Sequence, residues 1–500
     1  MIRPDSPQPL TLTEAVIPVA ALILLVALSY FLFGDKGAGG PNQVALVVAT
    51  MIAVFIAWRR GHKLADLQAA AVASVGSGIG AIFILLAVGS LIGAWAMSGT
   101  LIAMVYYGLQ LLSPNYFYVT ATVICAVIAA SIGSSWTVVG TIGIGLMGIA
   151  LNMDLNPGIA AAAIISGAYF GDTTSPLSDS SNLAAAAAGV DLYQHVRETA
   201  LTSSVALALS LVVFWLLGRP GDFDAVEKAQ AIQTFFQPSL VLFLPLAVVI
   251  VLAVLKFPPF TAIFIGALVG GVLAVFVAPE RVARFADAGD GLPGWLLQVK
   301  GVWLALASGY VSTTGHPAID QLVTRGGMAS MLNTIWLIIT ALAFGGVVEK
   351  AGVLDRLITP VIDAAKSAGA LVASLVAAVL GTNIVTADQY IAIVLPGRMF
   401  KNAFEKRGFA PVVLSRTVGA SATPTSALIP WNSCGAYMAA TLGVATWSYL
   451  PYAVFNFASP LLAIAVAYLG IRMLRTPAGL AGDAASAIPV APQQRNLDNS

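Results

Sequence analysis

Residues 171–182 read GDTTSPLSDSSN, flanked by the alanine-rich apolar stretches AAAAIISGAYF at 160–170 and LAAAAAGV at 183–190. Asp172 and Asp179 thus sit with a run of hydroxyls inside a segment otherwise composed for lipid. A bilayer crossing takes about 20 mostly apolar residues, more than either Ala160 to Tyr169 or Leu183 to Ala188 supplies. The two pieces are therefore read as half-helices of one crossing, with TTSPLSDSSN unwound between them. Pro176 lacks an amide hydrogen and would break a continuous helix. As a surface turn, the stretch would be an ordinary turn followed by a helix cap. However, the chain must cross once between NMDLN at 152–156 and the basic HVRE at 195–198, and no other segment can do so.

The rest of the chain sets the same constraint. Of 500 residues, 58% are hydrophobic and 9% charged, against about 25% charged in a soluble domain. Apolar windows recur from Ala15 to the region of Leu469, leaving no room for a separate soluble domain. The N-terminal MIRPDSPQPLTLTE leads into an apolar run without a clean cleavage site, so a retained first span is expected rather than a signal peptide. Cys125 and Cys434 both fall in apolar surroundings, which points away from a disulfide framework or a metal site. A net charge of +1 gives no reason to expect a nucleic-acid partner.

Candidate spans fall at 15–33, 43–58, 79–97, 116–133, 136–152, 157–190 and 200–218. They continue at 237–255, 259–278, 331–349, 368–381, 384–397, 411–443 and 450–470. The two sets share details at an offset of about 254. Gly61-His62 with Asp66 matches Gly315-His316 with Asp320, and Pro157 matches Pro411. Pro176 with Gly189-Val190 matches Pro430 with Gly443-Val444.

An odd number of spans per half inverts the second half, and basic residues test this because they concentrate in cytoplasmic loops. With the N-terminus inside, the outer side keeps only Lys36, Arg219, Lys228, Arg281, Arg284, Lys300 and Arg325. Every other Lys and Arg, except Arg416 within a span, falls on the cytoplasmic side. The fold expected is an all-α polytopic membrane protein with about 14 transmembrane crossings in two inverted-topology repeats with interrupted helices. Its parts are an N-terminal cytoplasmic segment at 1–14, repeat 1 at 15–218, an outer linker at 219–236, and repeat 2 at 237–472. Repeat 2 carries an outer insertion at about 279–330, and a disordered cytoplasmic tail follows at 473–500.

Inverted repeats typify secondary transporters, whose sites form where interrupted helices of both halves meet. A hard cation such as sodium seeks several oxygens. Asp172 and Asp179 are the candidate carboxylates, with Thr174, Ser175, Ser178, Ser180 and Asn182 as neutral ligands. The matching stretch SATPTSALIPWNSCGAY at 421–437 has two breakers, Pro424 and Pro430, and offers Asn432 and Ser433 but no carboxylate. Two further matched breaks, SIGSSWTVVG at 131–140 and LGTNIVTADQY at 380–390, add Ser134, Ser135, Thr382 and Asn383. The second also places Asp388 inside an apolar run, where an ionisable residue is a functional candidate by default. Alternatively Arg416 is a charge partner for Asp388 and the pair is purely structural, and Glu349, near a cytoplasmic end, is expected to pair with Lys350 or snorkel. His62 and His316 are read as structural loop residues, and His195 as a loop residue too.

GAYFGDTTSPLSDSSNLAAAAAGVDL, GSSWTVVGTIG, GTNIVTADQYIAIVLPGRMF and LIPWNSCGAYMAATLGV together resemble the NhaC family of sodium/proton antiporters, over about 79–470. The resemblance implies exchange of sodium for protons across a bacterial inner membrane, in a family that also holds malate/lactate exchangers. It also marks two departures. Thr173 and Thr174 stand where the family usually has Lys and Met, and Gly419-Ala420 stand where it usually has an acidic pair.

The function expected is secondary antiport, with Asp172 or Asp179 taking sodium or a proton but not both. The partners are those two ions and the lipid bilayer, no cofactor is called for, and homodimerisation stays open. The same fold could instead exchange small organic anions or amino acids, with Arg416 and half-helix N-termini binding the anion. No GxxxxGK[ST], HExxH or GxSxG occurs, so neither an ATP-driven pump nor a hydrolase has support. A passive channel would show repeated pore helices rather than inverted halves.

Overall fold

The computed structural model describes residues 7–218, 230, 232–233, 237–286, 291–313, 320 and 323–476. Most of the expected outer linker, His316 and all but the first residues of the expected tail lie outside the described residues. Within them the protein is helical, and nine helices are long and apolar enough to cross a membrane. A tenth span results when Thr446–Tyr452 and Val454–Tyr468, bent by 52° at their junction, count as one. This is a polytopic membrane protein. Large side chains such as Leu24, Phe31, Phe276, Trp303 and Leu461 stay exposed on its outside, as lipid contact requires.

Fewer than fourteen helices are of that length and composition because several expected crossings are not single apolar helices. The 237–255 segment is a 3-10 turn leading into the short helix Leu244–Val254. The 157–190 and 411–443 segments are interrupted and polar. The stretch read as an outer insertion contains two helices, Pro279–Ala286 and Gly294–Ser308.

The first interrupted crossing begins at Pro157, where Asn156 Oδ1 accepts from the amides of Gly158 and Ile159 at 2.9 and 3.1 Å. The helix runs to Thr174, and its partner runs from Asp179 to Ala188, closed by Gly189 at φ 76°. Only Ser175 to Ser178 is unwound, a shorter break than TTSPLSDSSN. Asp172, Thr173 and Thr174 stay helical, and the Ser181 hydroxyl donates to the Asp172 and Thr173 carbonyls that the break leaves without helical partners, at 3.2 and 3.3 Å. Ser175 then turns extended, φ −89° and ψ 132°, as a residue before proline must.

The second interrupted crossing consists of Pro411–Ser426 and Ser433–Leu442. Contrary to expectation, Pro424 does not break it. Proline deprives the carbonyl four residues back of its helical partner. Here the Ala420 carbonyl accepts from the Ser459 hydroxyl at 2.7 Å instead, and Asn456 Nδ2 donates to the Pro424 carbonyl at 2.8 Å. The break comes after Ser426, and Asn432 caps the second half-helix through the Cys434 amide at 3.0 Å.

Helix starts recur between the halves. Ser135, Pro157 and Asp179 each have a counterpart 254 positions later, at Gln389, Pro411 and Ser433. The helix Pro157–Thr174 lies tightly against Phe117–Ile132. A Cβ at Gly167 would collide with the Thr122 carbonyl, and one at Gly171 with Ala129 and the Ala130 amide. Small residues spaced by four let helix backbones touch where lipid gives no hydrophobic drive for association. This contact sets the break of one helix beside the end of the other, and so positions the site.

Candidate functional site

Where Phe117–Ile132 ends, Gly133 takes φ 80° and Ser134 caps a new helical start, accepting from the Thr137 amide at 3.2 Å. This sharp turn carries Ser135 over the end of the neighbouring helix, where Asp172 is 6% exposed. Ser135 donates to Asp172 Oδ2 through its amide at 3.2 Å and its hydroxyl at 2.6 Å. Ser178 and Ser180 donate their hydroxyls to Oδ1, the latter at 2.9 Å. Among the described residues, no basic side chain forms an ion pair with Asp172. An ionised carboxylate buried this deeply needs hydrogen bonds or an opposite charge, and here only neutral donors supply them.

Asp172 lines a cavity of about 660 Å³. Ser134, Trp136, Thr137, Asp179, Ser180 and Asn182 join it from the first half, and Asp388, Gln389, Tyr390, Ser433 and Cys434 from the second. Ala253, Lys256, Phe257, Pro258, Pro259 and Ala262 line it too. The three expected aspartates therefore share one cavity. Among the described residues, though, no three acidic, histidine or cysteine side chains converge closely enough to form a common ligand set.

Each carboxylate has a different environment. Asp179 is the exposed first residue of its half-helix. Asp388 is 8% exposed and caps the helix Gln389–Lys406, its Oδ1 accepting from the amides of Tyr390 and Ile391 at 2.7 and 3.0 Å. The preceding Ala387 turns left-handed, φ 57°, to put it there.

The neutral ligands divide. Ser134, Ser180, Asn182 and Ser433 line the cavity, while Ser135 and Ser178 reach it through Asp172. Thr174 and Thr382 spend their hydroxyls on their own helices. Ser175 braces the break by donating to the Ala130 carbonyl at 2.7 Å. Asn383 and Asn432 clasp the second break. Asn383 Nδ2 donates to the Ala422 carbonyl at 2.8 Å, and Asn432 Nδ2 donates to the Asn383 carbonyl at 3.1 Å. These five residues hold the site in shape rather than line it.

The expected charge partners are elsewhere. Arg416 is not paired with Asp388. It is buried, 3.6 Å from Glu198, which also accepts from Arg472 Nε at 3.0 Å. That carboxylate holds the Arg472 guanidinium, beyond the last span, above its ordinary range. Glu349 is exposed at the end of its helix and does not line the cavity. His195 is not a loop residue. It lies fully buried in the helix Leu192–Leu217, with Nδ1 2.7 Å from the Ser415 hydroxyl. Cys434 is not in purely apolar surroundings, since it lines the cavity and donates to Gln389 Oε1 at 3.2 Å.

Glu198, Trp136, Gln389, Tyr390 and Lys256 escaped the sequence reading. The only signal for Glu198 was the need of an in-span arginine for a carboxylate. For Gln389 and Tyr390 it was adjacency to Asp388.

A family model described as Na+/H+ antiporter family matches residues 10–199 and 167–471. The Na+/H+ antiporter NhaC of Alkalihalophilus pseudofirmus is 37% identical over 437 residues, 86% of this chain and 90% of that protein. The malate-2H+/Na+-lactate antiporter of Bacillus subtilis is 34% identical over 467 residues, 92% of this chain and 95% of its own length. The arginine/ornithine antiporter ArcD of Halobacterium salinarum is 32% identical over 470 residues, 92% of each chain.

Proposed function

This chain belongs to the Na+/H+ antiporter family and is a secondary transporter exchanging sodium for protons, and we propose that Asp172 is the carboxylate that carries the two ions in turn. The observation that supports this reading is its setting: a buried aspartate held by three hydroxyls and one amide, with no basic partner among the described residues. Burial disfavours the uncompensated charge. Either a proton or a cation relieves it, and one carboxylate accepts only one of them at a time. Hydroxyls suit both states, because each donates to an ionised carboxylate and can turn its oxygen toward a cation.

Asp179 and Asp388 have other parts. Asp388, with Oδ1 tied to two backbone amides, is a helix-capping carboxylate that holds the start of Gln389–Lys406 at the cavity. Asp179 is exposed in the lining, suited to first capture of sodium. The cation is completed by neutral oxygens such as those of Ser134, Ser180 and Asn182.

Alternating access follows from two repeats whose interrupted helices meet at the cavity. The recurrence of helix starts at 254 residues supports two repeats, and the distribution of basic residues supports their inversion. Both termini are then cytoplasmic, in a bacterial inner membrane.

Exchange of an organic anion would call for a basic group in the cavity. Arg416, which the sequence offered for that role, is buried against Glu198, and among the described lining residues Lys256 alone is basic. The lining sets three aspartates against that single lysine, a balance that favours a cation over malate- or lactate-like cargo.

Inverted vesicles carrying a pH gradient test the proposal. Sodium should dissipate the gradient with wild-type protein and fail to do so with Asp172→Asn at equal membrane insertion. Undiminished exchange in that variant would remove Asp172 from the mechanism. A response to malate or lactate with none to sodium would overturn the choice of cargo.

A further inference from the structure

Trp136 follows directly after Ser135, the residue that grips Asp172. Its indole lies against the Tyr437 ring with centroids 4.0 Å apart and planes 14° from parallel. The Tyr437 hydroxyl donates to the Trp136 carbonyl at 2.7 Å. Gly140 makes room for this contact, since a Cβ there would stand 2.5 Å from that hydroxyl. The same stretch, Val139–Gly143, is wound as a π-helix, a local irregularity that often marks functional positions.

Tyr437 is fully buried on the second half-helix of the other repeat, Ser433–Leu442. One turn back, Cys434 donates to Gln389, the residue next to Asp388. A continuous set of contacts therefore runs from Asp172 through Ser135, Trp136, Tyr437 and Cys434 to Gln389. It joins carboxylates contributed by the two halves of the chain.

We propose that the Trp136–Tyr437 stack couples the two halves of the cation site, and that Tyr437 is a positioning residue which fixes Ser135 over Asp172. Without the hydroxyl, the Trp136 carbonyl loses its tether and Ser135 no longer sits squarely on Oδ2. The cation site then loosens while the rest of the helix packing persists. The inference rests on the assignment of Asp172 as the exchanging carboxylate.

The test is sodium-dependent exchange in inverted vesicles for wild type, Tyr437→Phe, Trp136→Phe and Asp172→Asn, each normalised to inserted protein. Tyr437→Phe keeps the stack and removes one hydrogen bond. It should raise half-saturating sodium about fivefold, with the maximal rate within about twofold of wild type. A scaffold role alone would lower the rate or the yield and leave half-saturation unchanged, and that result overturns the coupling. A second reading needs no Tyr437 variant. Sodium should change the Trp136 fluorescence, taken as wild type minus Trp136→Phe, and this change should vanish in Asp172→Asn; a sodium-insensitive signal overturns the coupling. Exchange that survives Asp172→Asn would refute the assignment of the cation site itself. A silent Asp172→Asn beside a wild-type-like Tyr437→Phe refutes only the coupling.

Discussion

Ser135 holds Asp172 twice, by its amide and by its hydroxyl, both on the same carboxylate oxygen. The amide is fixed by the capped turn at Ser134, but the hydroxyl can be removed alone. Ser135→Ala deletes one charge-assisted bond of a kind that contributes about 1.5–3 kcal/mol. Half-saturating sodium should rise about tenfold or more, measured by dye-reported exchange at graded sodium. Ser135→Thr, which keeps the hydroxyl, should stay near wild type. Equal affinities in Ser135→Ala and wild type would show that Oδ2 is not a cation-facing oxygen.

Glu198 and Arg416 make the second prediction. Arg416 is 3% exposed, so removing its partner leaves a buried charge unpaired. Glu198→Gln should destabilise the protein by about 3–5 kcal/mol, read as a drop in melting temperature in detergent. Glu198→Gln combined with Arg416→Met should recover much of that loss and still exchange sodium. Abolished transport in a stable double variant would return Arg416 to the cargo pathway.

The motif GDTTSPLSDSSN is legible in kind but not in extent. Pro176 forecast the break, and composition forecast a chain of membrane helices. Only the structure shows that the Ser181 hydroxyl, beyond the break, satisfies the Asp172 and Thr173 carbonyls, so that the helix runs on past Asp172. Local sequence also cannot show contacts between distant residues. Ser135 and Asp172 are 37 residues apart, and Ser415 and His195 are 220 apart. HVRE looked like a loop because it is polar and basic. Its face with His195 and Glu198 is nonetheless buried, since Ser415, Arg416 and Arg472 meet it there. Pro424 looks like a helix breaker in sequence because its rescue comes from Ser459 and Asn456, on a helix more than thirty residues away.

Gly167 and Gly171 give a prediction about assembly. A methyl group at Gly167 meets the Thr122 backbone, which cannot swing aside as a side chain could. Gly167→Ala should separate the two helices and cost about 1–3 kcal/mol of overpacking strain. Gly352→Ala makes a useful contrast, because nothing lies within 4 Å of its Cβ and its penalty is that of φ 73° alone. In Gly167→Ala both melting temperature and sodium affinity should fall, since the displaced helix carries Asp172. A lower melting temperature with unchanged affinity would mean that the site does not depend on this helix contact.

His62 allows a pH prediction outside the spans. Burial, with Lys350 adding to it, holds its imidazole below the ordinary histidine value of 6.5, against an opposing pull from Asp66. A histidine with a lowered folded-state pKa binds its proton more weakly folded than unfolded. Its contribution to stability is therefore complete above the unfolded value, and is lost as the pH falls below that value towards the folded one. His62→Gln cannot protonate and should lose less melting temperature than wild type on acidification across that window. Its exchange activity should keep the wild-type pH profile, because His62 does not line the cavity that holds Asp172. A shifted activity profile would instead make the loop after Arg59 part of proton coupling.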